Sequence, residues 1–223
     1  MTRYAHRLIL AATAATACLA FAGNVGPASA TEPSRAAEAF VTAPTTVFPA
    51  IDSLTRLDMV DYFRSGSDRA SKNLFNGQAR VTHLTPDQIT VETSAAAEKT
   101  ITIIPRGNGR DSLLMVITTV KTPAEDSTVK FYTTSWQPVD KGLFIVPALD
   151  DWMQPQAADK RQDVENAVPF MLAKISYEPA TATLTLVNNL GAYLPEETSA
   201  LAGNALKSEL SYRWDGHKMV RIK

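Results

Sequence analysis

Two adjacent carboxylates followed by a tryptophan, Asp150, Asp151 and Trp152, are the residues of this sequence best suited to chemistry or ligand contact. A carboxylate pair can act as the acid and base of a glycosidase, or can bind calcium. Neighbouring side chains usually point apart, however, and no calcium-loop spacing follows, which favours a solvated loop or a helix N-terminus. We therefore predict no catalytic residue. We expect Trp152 to be exposed and, with Asp150 and Asp151, to contact a ligand.

Histidine, which a hydrolase would need as a partner for these carboxylates, is scarce. Downstream of the first thirty residues only His83 and His217 occur, each next to a predicted turn. The sequence contains no Gly-x-Ser-x-Gly motif and no His-x-x-x-His spacing, so it predicts no metal site and no cofactor. We expect a protein that is not an enzyme. A hydrolase of envelope or dietary polysaccharide that pairs Asp150 or Asp151 with one of these histidines stays open as an alternative.

The first thirty residues have the pattern of an export signal. Arg3 and Arg7 precede an apolar run over residues 8–22, and residues 28–30, Ala-Ser-Ala, fit the rule for signal cleavage. We therefore predict a 1–30 signal peptide, a periplasmic or extracellular location and no retained transmembrane helix. The alternative is a lipoprotein anchored at Cys18, which follows small residues but lacks the usual leucine three places upstream.

The charge and cysteine content exclude further classes. The chain has 22 basic and 23 acidic side chains, and removing Arg3 and Arg7 leaves a net charge of −3. A nucleic-acid ligand is therefore not expected. Because Cys18 is the only cysteine, the predicted mature chain has no disulfide and no reactive thiol.

Periodicity predicts the elements that position these residues. Residues 31–50, rich in Ala, Pro and Thr, indicate a flexible leader before a single globular domain at 51–223, for which a division into halves 51–140 and 160–223 stays open. A helix is predicted at 56–65, with Leu57, Val60 and Phe63 on its buried face, and a helical turn at 68–75. From Ala79 the period changes to two and predicts five antiparallel strands, of which 112–120 is apolar on both faces.

The second half repeats this order of helix and sheet. We predict helical character at 163–171, interrupted by Pro169, and a hairpin about residues 179–180. A helix is predicted to begin with Pro195 as its first residue, ahead of Glu196 and Glu197, and to run to about Ala205, and a hairpin at Asp215-Gly216 closes the chain. Trp136 is predicted to close the first core, and Tyr212 and Trp214 to be buried against a helix. The fold class is therefore α+β, with antiparallel meanders packed against a few short helices.

Four stretches also resemble a known family. They are RLDMVDYF at 56–63, NLFNGQARVTHLTPDQITVE at 73–92, FYTTSWQPV at 131–139 and YRWDGHKM at 212–219. The four stretches, and the order in which they follow one another, are similar to those of an uncharacterised family of exported Bacteroidetes proteins known as domain of unknown function 3256. The resemblance implies an exported, compact protein of helices and antiparallel sheet, and it implies no activity, substrate or catalytic residue.

We conclude from the sequence that a non-enzymatic binding or interaction module of the cell envelope is expected, whose partner is an unknown envelope protein or a glycan. Strand addition or a groove between sheet and helix would provide the contact. The irregular stretch at 140–159 is the predicted surface, because long irregular segments in compact domains tend to be functional. Besides the hydrolase, a lipid-anchored structural envelope protein remains an alternative.

Overall fold

Two antiparallel sheets form the framework of the computed structural model, which describes residues 34–139 and 142–222. The predicted export signal, the predicted cleavage site and Cys18 lie outside these residues. Six strands follow one another in the first sheet, and four make the second in the order β10-β9-β8-β7. The predicted α+β class is confirmed. The strands are β1 (Ser71–Lys72), β2 (Gln78–Leu84), β3 (Gln88–Ser94), β4 (Ala97–Arg106), β5 (Asp111–Val120), β6 (Asp126–Thr133), β7 (Ala173–Glu178), β8 (Thr183–Asn188), β9 (Glu209–Trp214) and β10 (Met219–Arg221).

Five α-helices accompany the sheets in the described residues. They are α1 (Arg35–Thr42), α2 (Ser53–Arg64), α3 (Leu149–Trp152), α4 (Arg161–Ala167) and α5 (Glu196–Ala205), with short 3-10 helices at Pro155–Lys160 and Leu190–Ala192. None of these helices combines the length and the apolar character needed to cross a membrane.

Strand β5 is covered on both faces, as its apolar sequence predicts. Leu113, Met115 and Ile117 are buried in one core with the second sheet and helices α3 to α5. Leu114 and Val116 are buried in the other core, which the first sheet shares with α1 and α2. The first sheet is therefore the central layer, and the alternation of β5 divides the apolar side chains between two cores.

The prediction of a flexible leader at 31–50 is wrong for the residues described, because α1 occupies 35–42. Ser34 begins the helix, since its Oγ accepts a hydrogen bond from the amide of Ala37 and donates one to the carbonyl of Thr85. Ala36 and Phe40 are fully buried against the first sheet. The Ala-rich composition that suggested flexibility instead lets the helix approach the sheet closely.

Helix α2 begins earlier than predicted. The carboxylate of Asp52 accepts a hydrogen bond from the amide of Thr55 and caps the helix, so that Ser53 is its first residue. The buried face contains Arg56, Met59 and Val60. Leu57, predicted on that face, is exposed, because the helix contacts the sheet through a stripe turned toward Arg56.

The helical turn predicted at 68–75 is also wrong. Residues 71–72 form edge strand β1, and the next residues make a turn organised by the buried side chain of Asn73. Its Oδ1 accepts hydrogen bonds from the amides of Phe75 (3.0 Å) and Gly77 (2.8 Å). An asparagine that bonds local backbone amides competes with helix formation, which explains the difference.

Trp136 closes the first core, as predicted. It is buried, and its ring lies 5.3 Å from that of Tyr132 on β6. Its φ of 63° is unusual for a bulky residue and accompanies a tight reversal in which the Trp136 amide bonds the carbonyl of Thr133. The chain thus turns at the end of β6 and places the indole over the core.

The elements of the second half occur as predicted, with two differences. Helix α4 is shorter, ending at Ala167 before Pro169. Tyr212 and Trp214 are buried, but the Trp214 ring stacks on Phe131 of the first sheet at 6.2 Å, and its Nε1 donates to the carbonyl of Pro105. The main partner of Trp214 is therefore the other sheet, whereas a helix was predicted.

Burial raises the pKa of Tyr177, on β7, to about 12. The unfolded phenol has a pKa of about 10, so the neutral form is favoured by folding, and this contribution is lost as pH rises from about 10 to 12. We expect the free energy of unfolding to decline less steeply in that window for a Tyr177→Phe variant than for the parent. Urea denaturation at a series of alkaline pH values measures this, and identical slopes would contradict it.

The two sheets meet through side chains at the outer edge of β7. The amide of Ala173 donates to Oδ1 of Asp126 (3.1 Å), and the amide of Ile175 donates to Oγ of Ser127 (3.0 Å). Further along, Nε2 of Gln88 donates to the Tyr177 carbonyl (3.3 Å). Polar side chains of the first sheet thus satisfy edge groups that a neighbouring strand would otherwise pair.

These contacts predict a stability cost. Asp126→Ala and Ser127→Ala should each lower the free energy of unfolding by about 1–3 kcal/mol, because a partly buried backbone amide loses its acceptor. Thr128→Ala, at the exposed neighbour on the same strand, should cost about 0.5 kcal/mol or less. Chemical denaturation of the three variants measures the difference, and equal losses for all three would show that the amides find other acceptors.

Candidate functional site

Trp152 is not exposed, so this part of the predicted binding site is wrong. Only 1% of its surface reaches solvent, and it belongs to the core between the two sheets. Its carbonyl accepts a hydrogen bond from the amide of Lys207 (2.7 Å), and the next residue, Met153, bridges to Leu206. The short helix α3 turns the indole inward, which the sequence did not reveal, while its carboxylates face outward.

Asp150 and Asp151 lie in the first turn of α3. This agrees with the interpretation that the two carboxylates mark the N-terminus of a helix. Asp151 Oδ2 accepts a hydrogen bond from the amide of Ala148 (2.9 Å), and its Oδ1 pairs with Arg221 at 2.7 Å. Asp150 pairs with Arg161 at 2.7 Å. Both carboxylates are thus engaged by arginines and fasten α3 to β10 and to α4, and such exposed ion pairs fix orientation more than they stabilise.

The acid and base pair of the hydrolase alternative is not assembled in the described part of the chain. There, no hydrogen bond or ion pair joins the imidazole of His83 or His217 to a carboxylate, and both residues are exposed. The carboxylate of Asp215 instead accepts hydrogen bonds from the amides of Lys218 and His217, and these bonds lower the pKa of Asp215. Residues 34–139 and 142–222 also contain no group of three His, Cys, Asp or Glu side chains that could hold a metal ion.

The structure instead exposes two aliphatic residues that the sequence analysis did not single out. Ile145 and Val146 are 78% and 77% exposed. They follow Leu143, which is buried and whose carbonyl accepts a hydrogen bond from the Met219 amide (2.7 Å). The available signal was a run of four apolar residues, 143–146, outside any predicted strand or helix. We call residues 143–146 the apolar loop.

A groove beside the apolar loop has a volume of about 380 Å³, within the range of small-ligand sites. Phe144 forms one side, and its ring meets that of Tyr212 edge-on at 5.3 Å. Burial raises the pKa of the Tyr132 phenol, which is a neutral donor at physiological pH even at its ordinary value of about 10. The lining includes Val129, Phe131, Tyr132, Val139, Leu143 and Phe144.

These features define an α+β protein of two antiparallel sheets, with an apolar loop and a groove beside strand β6. The chain belongs to the family described as "Protein of unknown function (DUF3256)", whose model matches residues 29–219. The resemblance seen in the sequence is thus confirmed. The structure is similar to that of a domain of an uncharacterized protein from Porphyromonas gingivalis W83, with 25% identity and a TM-score of 0.72, covering 84% of this chain and 99% of that chain. No curated protein matches the chain.

Proposed function

We propose that this protein is an exported, non-enzymatic binding module of the cell envelope and that the apolar loop contacts its partner. The observation that supports this most directly is the exposure of Ile145 and Val146, at 78% and 77%. Burying a side chain of this kind contributes about 1.5–3 kcal/mol. Two such residues side by side would therefore supply much of the core of a small interface.

The loop is held on both sides, which favours a binding role over a mobile connection. At its start, Leu143 is buried and its carbonyl accepts a hydrogen bond from the Met219 amide. After it, Pro147 is buried, Asp151 pairs with Arg221, and Trp152 is enclosed in the core. A surface that is already ordered loses little conformational entropy on binding, so more of the contact energy appears as affinity.

The partner is proposed to be an envelope protein. Exposed aliphatic side chains next to a groove are typical of protein interaction sites, and the groove is lined largely by apolar residues of β6 and of the loop itself. A projecting side chain of the partner, seated in the groove while Ile145 and Val146 are covered, would satisfy both parts of this surface.

Site-specific photo-cross-linking tests this proposal. With the photoreactive residue at Val146, in cells that produce the protein, we expect one discrete adduct that weakens when Ile145→Ser is added. Val187, an exposed aliphatic residue on the outer face of the second sheet, is the matched control position. Absence of an adduct at position 146, or the same adducts at both positions, would contradict the proposal.

The proposed export has its own test. We expect the mature protein purified from its source to begin at Thr31, because the cleavage pattern ends at Ala30. Intact-mass measurement of the N-terminus decides this. A diacylated N-terminal Cys18 would instead support the lipid-anchored alternative, and an uncleaved chain would contradict export through this signal.

A further inference from the structure

Two asparagines of this chain are followed by glycine, in the pairs Asn76-Gly77 and Asn108-Gly109. This dipeptide favours deamidation, because glycine has no Cβ to hinder attack by its own backbone nitrogen on the preceding side-chain amide. The first pair lies in the turn between β1 and β2, and the second lies in the turn between β4 and β5. Both asparagines are exposed, so access of water does not distinguish the two sites.

Deamidation at such a pair proceeds through a cyclic intermediate and consumes only water. The backbone nitrogen of the glycine loses its proton and attacks Cγ of the asparagine, ammonia leaves, and a five-membered succinimide forms. Water then opens this ring at either carbonyl and yields aspartate or isoaspartate. The attacking nitrogen must first leave any hydrogen bond to which its N–H donates, so the rate follows the population in which the turn is open.

The Gly77 amide is held by a buried side chain. It donates to Oδ1 of Asn73 at 2.8 Å, and Asn73 is 8% exposed. The same oxygen accepts a hydrogen bond from the Phe75 amide (3.0 Å), and Nδ2 of Asn73 donates to the carbonyl of Thr93 on β3 (3.0 Å). Release of the Gly77 amide therefore takes a partner from a buried oxygen whose side chain is fixed to another strand, and this is unfavourable.

The Gly109 amide is held by a bond within its own turn. It donates to the carbonyl of Arg106 at 3.0 Å, three residues earlier. A second bond of this turn, in which the Arg110 amide donates to Oδ1 of Asn108, is 3.3 Å long. Residues 105–111 are all exposed. A local opening in which water replaces both bonds therefore releases the Gly109 amide, with no loss of buried contacts.

We propose that Asn108 is a deamidation site of the folded protein and that the side chain of Asn73 protects Asn76. Both products at Asn108 carry a new carboxylate, and isoaspartate also lengthens the backbone by one carbon. The change lies next to Gly107, whose amide donates to the carbonyl of Gly216 in the turn between β9 and β10 (2.8 Å). The modification therefore falls where turns of the two sheets touch. This site shares no residue with the apolar loop and does not depend on the function proposed for that loop.

Peptide mapping by mass spectrometry, after incubation of the purified protein at mildly alkaline pH, tests this inference. In the folded parent we expect deamidation at Asn108 to be faster than at Asn76 by about tenfold or more. In guanidinium chloride, where both turns are open, the two rates should agree within about threefold. Asn73→Ala should accelerate deamidation at Asn76 by about tenfold and leave the rate at Asn108 unchanged.

Asn204→Ala, at an exposed asparagine of α5, is the matched control and should change neither rate. Circular dichroism verifies that each variant is folded. Hydrogen exchange of the parent gives a measurement that needs no variant, and the Gly77 amide should be protected about tenfold more strongly than the Gly109 amide. Equal rates at the two sites of the folded parent, no conversion of Asn108 in the time that converts the denatured chain, or an unchanged rate at Asn76 in folded Asn73→Ala overturns the inference.

Discussion

Replacing Trp152 with alanine is expected to lower the free energy of unfolding by about 3–5 kcal/mol. The indole is 1% exposed and lies in the core that joins both sheets with helices α3 to α5. Removing it leaves a cavity between elements that are held on several sides and cannot collapse into the space. Urea or guanidinium unfolding, followed by tryptophan fluorescence or circular dichroism, gives the free energy directly.

Two controls accompany this prediction. In the described structure Trp152 Nε1 is buried without a hydrogen-bond partner, so Trp152→Phe, which keeps most of the volume and removes the unpaired N–H, should cost about 1.5 kcal/mol or less. Val146→Ala, in the same segment but exposed, should change stability by about 0.5 kcal/mol at most. A loss below about 1 kcal/mol for Trp152→Ala would show that the indole is not in the core.

Replacing Arg56 with alanine should cost about 3 kcal/mol or more. This residue of α2 is 3% exposed, and its Nη1 donates to the carbonyls of Phe40 (2.8 Å) and Ala43 (2.6 Å) at the end of α1. The guanidinium also lies about 6 Å from the ring centroids of Phe40 and Phe48. Alanine would leave the Ala43 carbonyl without its donor, leave the Phe40 carbonyl with only the longer bond from the Ala43 amide (3.4 Å), and remove the guanidinium from the two rings.

Comparison variants distinguish the charge from the volume of this side chain. Arg56→Met keeps the aliphatic stem but removes the donors and the positive charge that the carboxyl end of α1 attracts, so it should recover only part of the loss. Arg64→Ala, at an exposed arginine on the same helix, should cost about 0.5 kcal/mol or less. Full recovery by methionine would mean that the hydrogen bonds to α1 contribute nothing measurable.

The sequence predicted the strands well because their signals are local. Period-two alternation and a turn such as Asp215-Gly216, where Gly216 adopts a φ of 94°, are complete within a few residues. Trp136 and Trp152 show how far such local signals can predict the burial of a side chain. Trp136 could be placed because the alternation of β6 gave a reference for its direction. Trp152 follows a stretch without periodicity, so nothing local indicated that a one-turn helix would direct it inward.

The candidate site was less predictable than the fold. Leu57 was placed on the buried face of α2 because it is apolar, yet that face is decided by Arg56, whose hydrogen bonds to the carbonyls of Phe40 and Ala43 depend on α1. Ile145 and Val146 look like core residues in sequence and are exposed only because the loop is tied down on either side. Exposure of an apolar residue depends on distant partners, so it is set by tertiary structure rather than by residue type.

The side-chain junction at β7 has an evolutionary consequence. A continuous ten-stranded ladder would fix the register of every strand relative to its neighbours, so that one inserted residue would reverse the facing of a whole strand. Here the two sheets are joined by separate side-chain hydrogen bonds. Asp126 accepts one from the amide of Ala173, and Ser127 accepts one from the amide of Ile175. Relatives are therefore free to change the length of the connection between the sheets outside α3 and the apolar loop while keeping both sheets intact, so insertions and deletions should concentrate in those parts.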